Sequence, residues 1–235
     1  MIYNGHDFKN ILRDELISRS FLPGVNVSTV EVPGRHGSLF ADAKLDPLAI
    51  TVAVRLIPGF RSNYGFSYEE ARRKIAGMLF SRKPSKLILR DDPTRHYYAI
   101  LSGESQIEKL LGTGQSSLTF ICPEPIAIGN ERNITLGEGT TSFHLDGTAP
   151  SFPVLRLSAS AEEMKVTCGD KYILPNIKLS QGDAVEIDCA TERVTVNGNT
   201  VGVSLFSDYF EVEPDVTTIK VEGGSGYLVV SERWY

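Results

Sequence analysis

The sequence is poor in the residues that mark several large classes of protein. Its three cysteines (Cys122, Cys168 and Cys189) are an odd number without C-x-x-C spacing, which argues against a disulfide framework and a zinc site. We expect free thiols that pack as small apolar side chains. No apolar run approaches the roughly 20 residues of a membrane-spanning helix, so no membrane insertion is predicted.

Positive charge is also scarce. The 24 Lys and Arg residues are outnumbered by 29 Asp and Glu residues, and the formal net charge is -5. This balance argues against a dedicated nucleic-acid binder, which needs a dense basic face. The N-terminus has neither a basic start nor an apolar stretch, so we predict no signal peptide and expect the protein to fold in a cytoplasm.

Short segments rich in β-branched and aromatic residues recur between turn signals, a pattern typical of antiparallel β proteins. The length of 235 residues suits one large domain or two of ordinary size. Asn197-Gly198 predicts a tight turn, and Gly223 to Gly226 predicts a flexible hairpin tip. The clearest predicted strands are 48–57, 86–90, 97–101, 106–111, 117–121, 152–157, 185–188, 193–196, 218–222 and 227–230. Two of them, 106–111 and 117–121, are predicted to form a hairpin around Gly112 to Gln115.

One helix is predicted after Ser67. Ser67 and Glu70 have the spacing of a capping box, in which each side chain binds the other residue's backbone amide. Ala71, Ile75, Met78 and Leu79 then fall on one face. Arg82 and Lys83 suit the negative end of this helix, and Pro84 stops it. The pattern predicts a helix that packs on a sheet.

A domain boundary is predicted near residue 128. Pro123 and Pro125 cannot both lie in a central strand, and the stretch 129–133 is polar. We therefore expect two domains, 1–128 and 129–235. The second half alternates apolar and polar residues over short segments, without a convincing helix, which favours a β-sandwich.

No residue pattern predicts an active site. His6, His36, His96 and His144 are far apart and have no second His or Cys at metal-ligand spacing. Asp91-Asp92 could bind a cation or serve glycoside hydrolysis, but Asp-Asp-Pro is also a common turn composition, which is the interpretation we favour. We predict no catalytic, metal or cofactor-binding residue and no cofactor.

Aromatic residues leave a second interpretation open. Any cluster of them that is exposed would be a saccharide platform or a protein interface. The sequence does not distinguish exposed from core aromatics, so the carbohydrate-binding residues are unknown at this stage. The available rings are Tyr64, Phe66, Tyr68, Tyr97, Tyr98, Phe206, Tyr209, Phe210, Trp234 and Tyr235.

Several segments, in order along nearly the whole chain, resemble the distal tail proteins of siphophages. Residues 32–37 resemble the family's P-G-R-x-G turn, and 87–93 followed by 97–99 resemble its strand, acidic turn and tyrosine strand. Residues 119–125 resemble the F-x-C-x-[DE]-P end of the first domain. Residues 147–153 resemble the G-T-x-x-x-x-P entry into the second, and 188–198 and 213–221 resemble late hairpins.

The resemblance implies a structural virion protein rather than an enzyme. Its first domain would be an antiparallel-sheet (belt) domain with one packing helix that joins six copies into a hexameric ring at the tail tip. Its second would be a galectin-like β-sandwich on the outside of the ring. The implied partners are copies of itself, the tail-tube protein and tail-tip or receptor-binding baseplate proteins. DNA would pass the lumen without specific binding, and assembly would take place in the host cytoplasm.

Two other functions remain open from the residues. A carbohydrate-binding β-sandwich that recognises host cell-surface saccharide needs exposed aromatic and polar groups on one concave face. A hydrolase needs two carboxylates that face each other in a cleft. Fold alone does not decide between these functions.

Overall fold

A computed structural model describes residues 1–58, 65–103, 110 and 114–235. The contacts divide the chain into two compact units, Met1–Ala127 with Tyr235, and Ile128–Trp234. The described residues form antiparallel sheets and one helix, α1 (Tyr68–Leu79). The predicted fold class, mainly β with a minor α element, is confirmed.

The first unit is built on a seven-stranded sheet with the order β2-β1-β7-β8-β9-β6-β3, in which every pair is antiparallel. Among the described residues, the remaining two strands of this unit, β4 and β5, pair only with each other. The strands are β1 (Ile2–Tyr3), β2 (His6–Asp7), β3 (Leu12–Arg19), β4 (Val25–Glu31), β5 (Ser38–Leu45), β6 (Leu48–Leu56), β7 (Ser85–Ile88), β8 (Tyr97–Ser102) and β9 (Gln115–Cys122).

The sheet's apolar face follows from the alternation in its longest interior strand. In β6, Leu48, Ile50, Val52 and Val54 are buried, and the residues between them are not. Side chains alternate between the two faces of a strand, so one face is apolar and packs inward. Ile50 in β6 lies opposite Phe120 in β9. The ring of Phe120 packs edge-on against the ring of Tyr3, with 4.8 Å between the two centroids.

Helix α1 begins with the predicted capping box, and its predicted apolar face is buried. The Ser67 hydroxyl accepts a hydrogen bond from the Glu70 amide at 3.3 Å, and the Ser67 amide donates to the Glu70 carboxylate at 2.8 Å. The predicted apolar face is the buried one: Ala71, Ile75, Met78 and Leu79. The expectation for Arg82 and Lys83 is wrong, because the helix ends at Leu79 and its last turn carries no basic residue.

The second unit is a β-sandwich of two antiparallel sheets. A six-stranded sheet has the order β10-β19-β12-β15-β16-β17, and a four-stranded sheet has the order β11-β18-β13-β14. Buried residues from both sheets form one core, with Leu155, Ile187 and Leu228 on one side and Val166 and Ile219 on the other. The strands are β10 (Ala127–Leu136), β11 (Gly139–Leu145), β12 (Val154–Ala159), β13 (Lys165–Cys168), β14 (Lys171–Ile173), β15 (Ala184–Asp188), β16 (Arg193–Val196), β17 (Asn199–Val201), β18 (Asp215–Glu222) and β19 (Gly224–Trp234).

The turn at Asn197-Gly198 is confirmed. Asn197 and Gly198 both have positive φ, 51° and 81°, and they join β16 to β17. The predicted strands 185–188 and 193–196 are also confirmed, and they pair with each other as the β15–β16 hairpin.

The prediction of a flexible hairpin tip at Gly223 to Gly226 is wrong. Only Gly223 lies outside a strand, and β18 and β19 belong to different sheets, so the chain crosses the sandwich here. A Cβ on Gly223 would lie 2.1 Å from the Glu163 carbonyl oxygen, and one on Gly226 would lie 2.1 Å from that of Arg156. These glycines therefore permit close packing of backbone rather than motion.

The remaining differences concern strands without a clear pattern. The polar stretch 129–133 lies within β10, and β3, β4 and β5 coincide with no predicted strand. The first strand of the predicted hairpin, 106–111, lies outside the described residues except for residue 110. The second strand of that hairpin lies within β9.

Candidate functional site

The paired carboxylates Asp91 and Asp92 have the contacts of a turn. Asp91 pairs with Arg19 at 3.6 Å. Asp92 accepts hydrogen bonds from the Thr94 hydroxyl and from Arg95, both at 3.0 Å. The two carboxylates therefore bind different partners, which supports the structural interpretation of this pair.

The histidines and cysteines do not converge on a metal site. Among the residues described, no group of three or more His, Cys, Asp or Glu side chains is arranged to hold a metal ion. His96 is buried with its ring edge-on to Tyr98, and His144 lies between Asp146 and Asp215 at 2.9 and 3.2 Å. Cys122 and Cys189 are buried, and burial raises the pKa of each thiol to about 12. No helix among the described residues has the length and hydropathy to cross a membrane.

The first unit carries an exposed two-stranded sheet, β4 and β5 with their connecting turn (residues 25–45), which we call the arm. All seven residues of β4 are exposed, and so are seven of the eight in β5. The strands are paired from Val25 opposite Leu45 to Glu31 opposite Ser38. The turn between them is the predicted 32–37 segment, in which Gly34 and Gly37 have φ of 82° and 80°.

The register gives the arm one apolar face. On it lie four cross-strand pairs: Val25 with Leu45, Val27 with Ala43, Thr29 with Phe40 and, at the tip, the polar pair Glu31 with Ser38. A bulge between Ser28 and Thr29 keeps Phe40 on this face by leaving Ala41 without a partner. Phe40 is 69% exposed and Val27 is 54% exposed.

The opposite face of the arm is largely polar. Its pairs are Asn26 with Lys44, Ser28 with Asp42, and Val30 with Leu39 at the tip. Lys44 and Asp42 form an ion pair at 3.2 Å. A two-sided hairpin of this kind is marginal in water by itself, and an uncovered apolar face favours contact with another surface. Further exposed apolar side chains stand nearby in sequence, at Ile17, Phe21 and Leu22.

A groove of about 520 Å³ lies on the second unit, on the outer face of the six-stranded sheet. One row of directly opposed side chains crosses four strands: Tyr227, Arg156, Glu186 and Thr195. The next row along the strands holds only the small side chains Ser225, Ser158 and Ala184. A row of large residues beside a row of small ones therefore makes a trough.

Polar contacts hold the large row in place. Nε of Arg156 donates a hydrogen bond to Oε2 of Glu186 at 2.9 Å, and the Tyr227 hydroxyl interacts with the same guanidinium. Hydrogen bonding to Glu186, and then to Tyr227, raises the pKa of Arg156 above its usual range. Tyr227 remains 40% exposed, so its ring is in contact with solvent.

Sequence reasoning missed both surfaces. Tyr227 lies in a predicted strand with no function assigned to it, and Val25, Val27 and Phe40 lie in no predicted element. Of the aromatic residues that the sequence offers as platforms, Tyr98, Phe206 and Tyr235 are exposed, and Tyr97 and Phe210 are buried. Tyr64 lies outside the described residues. The alternation at 225–229 was a usable signal, since it sets Tyr227 and Ser225 on one face.

Family comparisons match both units. Residues 7–122 match the phage tail protein RIFT-related domain, and residues 146–234 match the siphovirus-type tail component, C-terminal domain. The distal tail protein of Bacillus phage SPP1 is 26% identical over 153 residues, which are 61% of this chain and 60% of that protein. The chain belongs to the siphophage distal tail protein family.

The fold of this family member is similar to a solved relative over its whole length. The crystal structure of SPP1 Dit is described as a paradigm of the hub adsorption apparatus in phages that infect Gram-positive bacteria. It matches with a TM-score of 0.77 and 19% identity, covering 100% of this chain and 98% of that one. As a distal tail protein, the chain is a structural component of the phage tail.

Proposed function

We propose that this distal tail protein forms a hexameric ring at the tail tip, which connects the tail tube to the baseplate or host-adhesion device. The observation that carries this proposal is the arm, whose apolar face has no cover from the described residues of its own chain. Covering that face with a neighbouring copy removes it from water.

In a ring, one arm per copy is enough to join each copy to the next. In a closed ring each copy uses two different surfaces, one for each neighbour, so an arm on one copy docks on a separate patch of the next. We assign this second surface to the exposed apolar residues Ile17, Phe21 and Leu22 of the first unit. The number of six copies follows from the family resemblance.

We propose a different role for each of the two units. Residues 1–128 form the ring, and 129–235, a galectin-like sandwich, lie on its outside. One side of the ring contacts the tail-tube protein and the other contacts tail-tip or receptor-binding baseplate proteins. DNA passes through the lumen without specific binding. The role is structural rather than catalytic, at the tail tip of the virion, after assembly in the host cytoplasm.

The ring is tested by measuring mass in solution. Light scattering of the purified protein at high concentration should show a ring-sized oligomer. The double variant Val27→Ser with Phe40→Ser should be a monomer with unchanged thermal stability, because these side chains are exposed in one copy. The matched control is Asp42→Ser with Lys44→Ser, on the opposite face of the arm, which should still assemble.

Electron microscopy of assembled tails tests the ring if the purified protein does not form one by itself. If the wild-type protein is a monomer alone, electron microscopy of tails should show a six-fold ring at the tip. Tails without such a ring would overturn the proposal. A ring that survives the apolar-face variant would show that the arm is not the contact between copies.

Saccharide binding by the second unit is the second candidate function. It is favoured by the groove, which combines an exposed aromatic ring with hydrogen-bonding side chains on an open sheet face. Ligand sites commonly join apolar surface to a few well-placed polar groups. Binding of the whole protein to host cell-wall material or a glycan array tests this function.

A further inference from the structure

The groove on the outer face of the six-stranded sheet contains one positive and one negative side chain, and their pairing limits the charge of the ligands that it can bind. Arg156 is the cation of the groove and Glu186 is the anion, and they are directly opposed on β12 and β15. Their pairing at 2.9 Å neutralises the centre of the groove. A phosphate or carboxylate ligand would have to compete with Glu186 for the guanidinium, so anionic ligands are disfavoured.

The same pair keeps unused hydrogen-bonding capacity. A guanidinium has five N–H donors and a carboxylate has about four acceptor sites. The Arg156 contacts within the groove are with Glu186 and the Tyr227 hydroxyl, which leaves donors for a ligand. Donors and acceptors side by side in one plane match vicinal hydroxyl groups, each of which both donates and accepts.

Tyr227 supplies the apolar part of the surface. Its ring lies at one end of the row and is partly exposed. The face of an aromatic ring is electron-rich and attracts polarised C–H groups, which one side of a pyranose ring presents. The row of Ser225, Ser158 and Ala184 beside it leaves room for the ring of such a ligand.

We infer that this groove binds a neutral saccharide, with a sugar ring stacked on Tyr227 and its hydroxyl groups on Arg156 and Glu186. The inference rests on the saccharide-binding candidate and names its residues and ligand class. It is independent of the ring. The hydroxyls of Ser158 and Thr195 extend the polar lining across the neighbouring strands.

The experiment uses the full-length protein and an array of neutral, sulfated and phosphorylated oligosaccharides. The wild-type protein should bind neutral glycans. Tyr227→Ala and Glu186→Gln should each weaken binding about tenfold or more, since hydrogen bonds to charged groups and aromatic contacts have that effect. Tyr227→Phe keeps the ring and should retain more affinity than Tyr227→Ala.

Matched controls separate the groove from the rest of the surface. Lys220→Gln breaks an exposed ion pair with Glu222 on the other sheet, and Phe206→Ala removes an exposed ring outside the groove. Both should bind like the wild type. Trp234 fluorescence and thermal denaturation verify that every variant folds.

Each other outcome overturns the inference in a distinguishable way. If neutral glycans bind and the groove variants do not weaken this binding, the saccharide function is correct but its site lies outside the groove. Binding of anionic glycans alone would contradict the charge argument. If no glycan binds at millimolar concentration, the function and the site both fail. Groove variants that instead release a baseplate protein would make the groove a protein interface.

Discussion

The indole ring of Trp234 lies so close to the α-carbon of Gly129 that a Cβ built on Gly129 would be 2.9 Å from Cζ3 of the ring. The two residues belong to β19 and β10, which are neighbours at the edge of the six-stranded sheet. A glycine here lets the large ring cover the edge strand.

Replacing Gly129 by valine should destabilise the second unit by about 1–3 kcal/mol, because the new side chain displaces the indole. Urea denaturation followed by fluorescence tests this, since Trp234 is the sole tryptophan. The control is Gly137→Val, because a Cβ at Gly137 meets nothing within 4 Å. Equal unfolding midpoints for the two variants would contradict the close contact.

Asp183 should make stability depend on pH in the acid range. Its carboxylate accepts hydrogen bonds from the Ser180 amide at 2.8 Å and from the Asn197 side chain at 2.9 Å. These bonds lower the pKa of Asp183 below its usual value near 3.8, and the bond from the Ser180 amide has the larger effect. A lowered folded-state pKa means that the stabilisation is present above the unfolded-state pKa and is lost as pH falls through the folded-state value.

The Asp183→Asn variant should therefore be less stable than the wild type at neutral pH, and the difference should shrink below about pH 4. Thermal denaturation at a series of pH values measures it. Asp170→Asn, an exposed turn residue in the same unit, is the control. A difference between Asp183→Asn and the wild type that stays constant down to pH 2 would show that the carboxylate charge is not involved.

The three thiols should react in a fixed order. Burial raises the pKa of Cys122 and Cys189 to about 12, so both are thiols rather than thiolates at pH 8. The pKa of Cys168 is also raised by burial, but this thiol is partly exposed. In the native protein a thiol reagent should modify Cys168 first, and the other two only with unfolding.

Peptide mapping after timed labelling measures this order, with urea-unfolded protein as the reference in which all three react. The variant Cys168→Ser should remove the early phase. Rapid labelling of Cys122 or Cys189 in the native protein would contradict their burial.

Local sequence signals predicted the elements that local interactions determine. The capping box of Ser67 and Glu70 specifies where α1 begins, because both bonds form within four residues. Asn197-Gly198 specifies its turn because both positions need positive φ. The alternation in β6 specifies which of its residues are buried, since one face of that strand packs inward.

Strands with weak alternation were not predictable in the same way. The arm strands are exposed on both faces, so burial imposes no period on Val25–Glu31. In β10 the middle of the strand is exposed and polar, which is also the composition of a loop. The close packing of Gly223, Gly224 and Gly226 is not predictable from neighbouring residues, because the atoms that crowd them come from residues 156–164.

The sequence by itself determined the family, the mainly β class and the elements built from neighbouring residues. Only the tertiary structure decided which side chains share a surface. Tyr227, Arg156, Glu186 and Thr195 come from four strands, and the register of those strands sets them in one row. In the same way, the bulge beside Ser28 decides that Phe40 joins Val27 on the arm's apolar face. Register depends on pairing between distant segments, and a shift of one residue reverses every face.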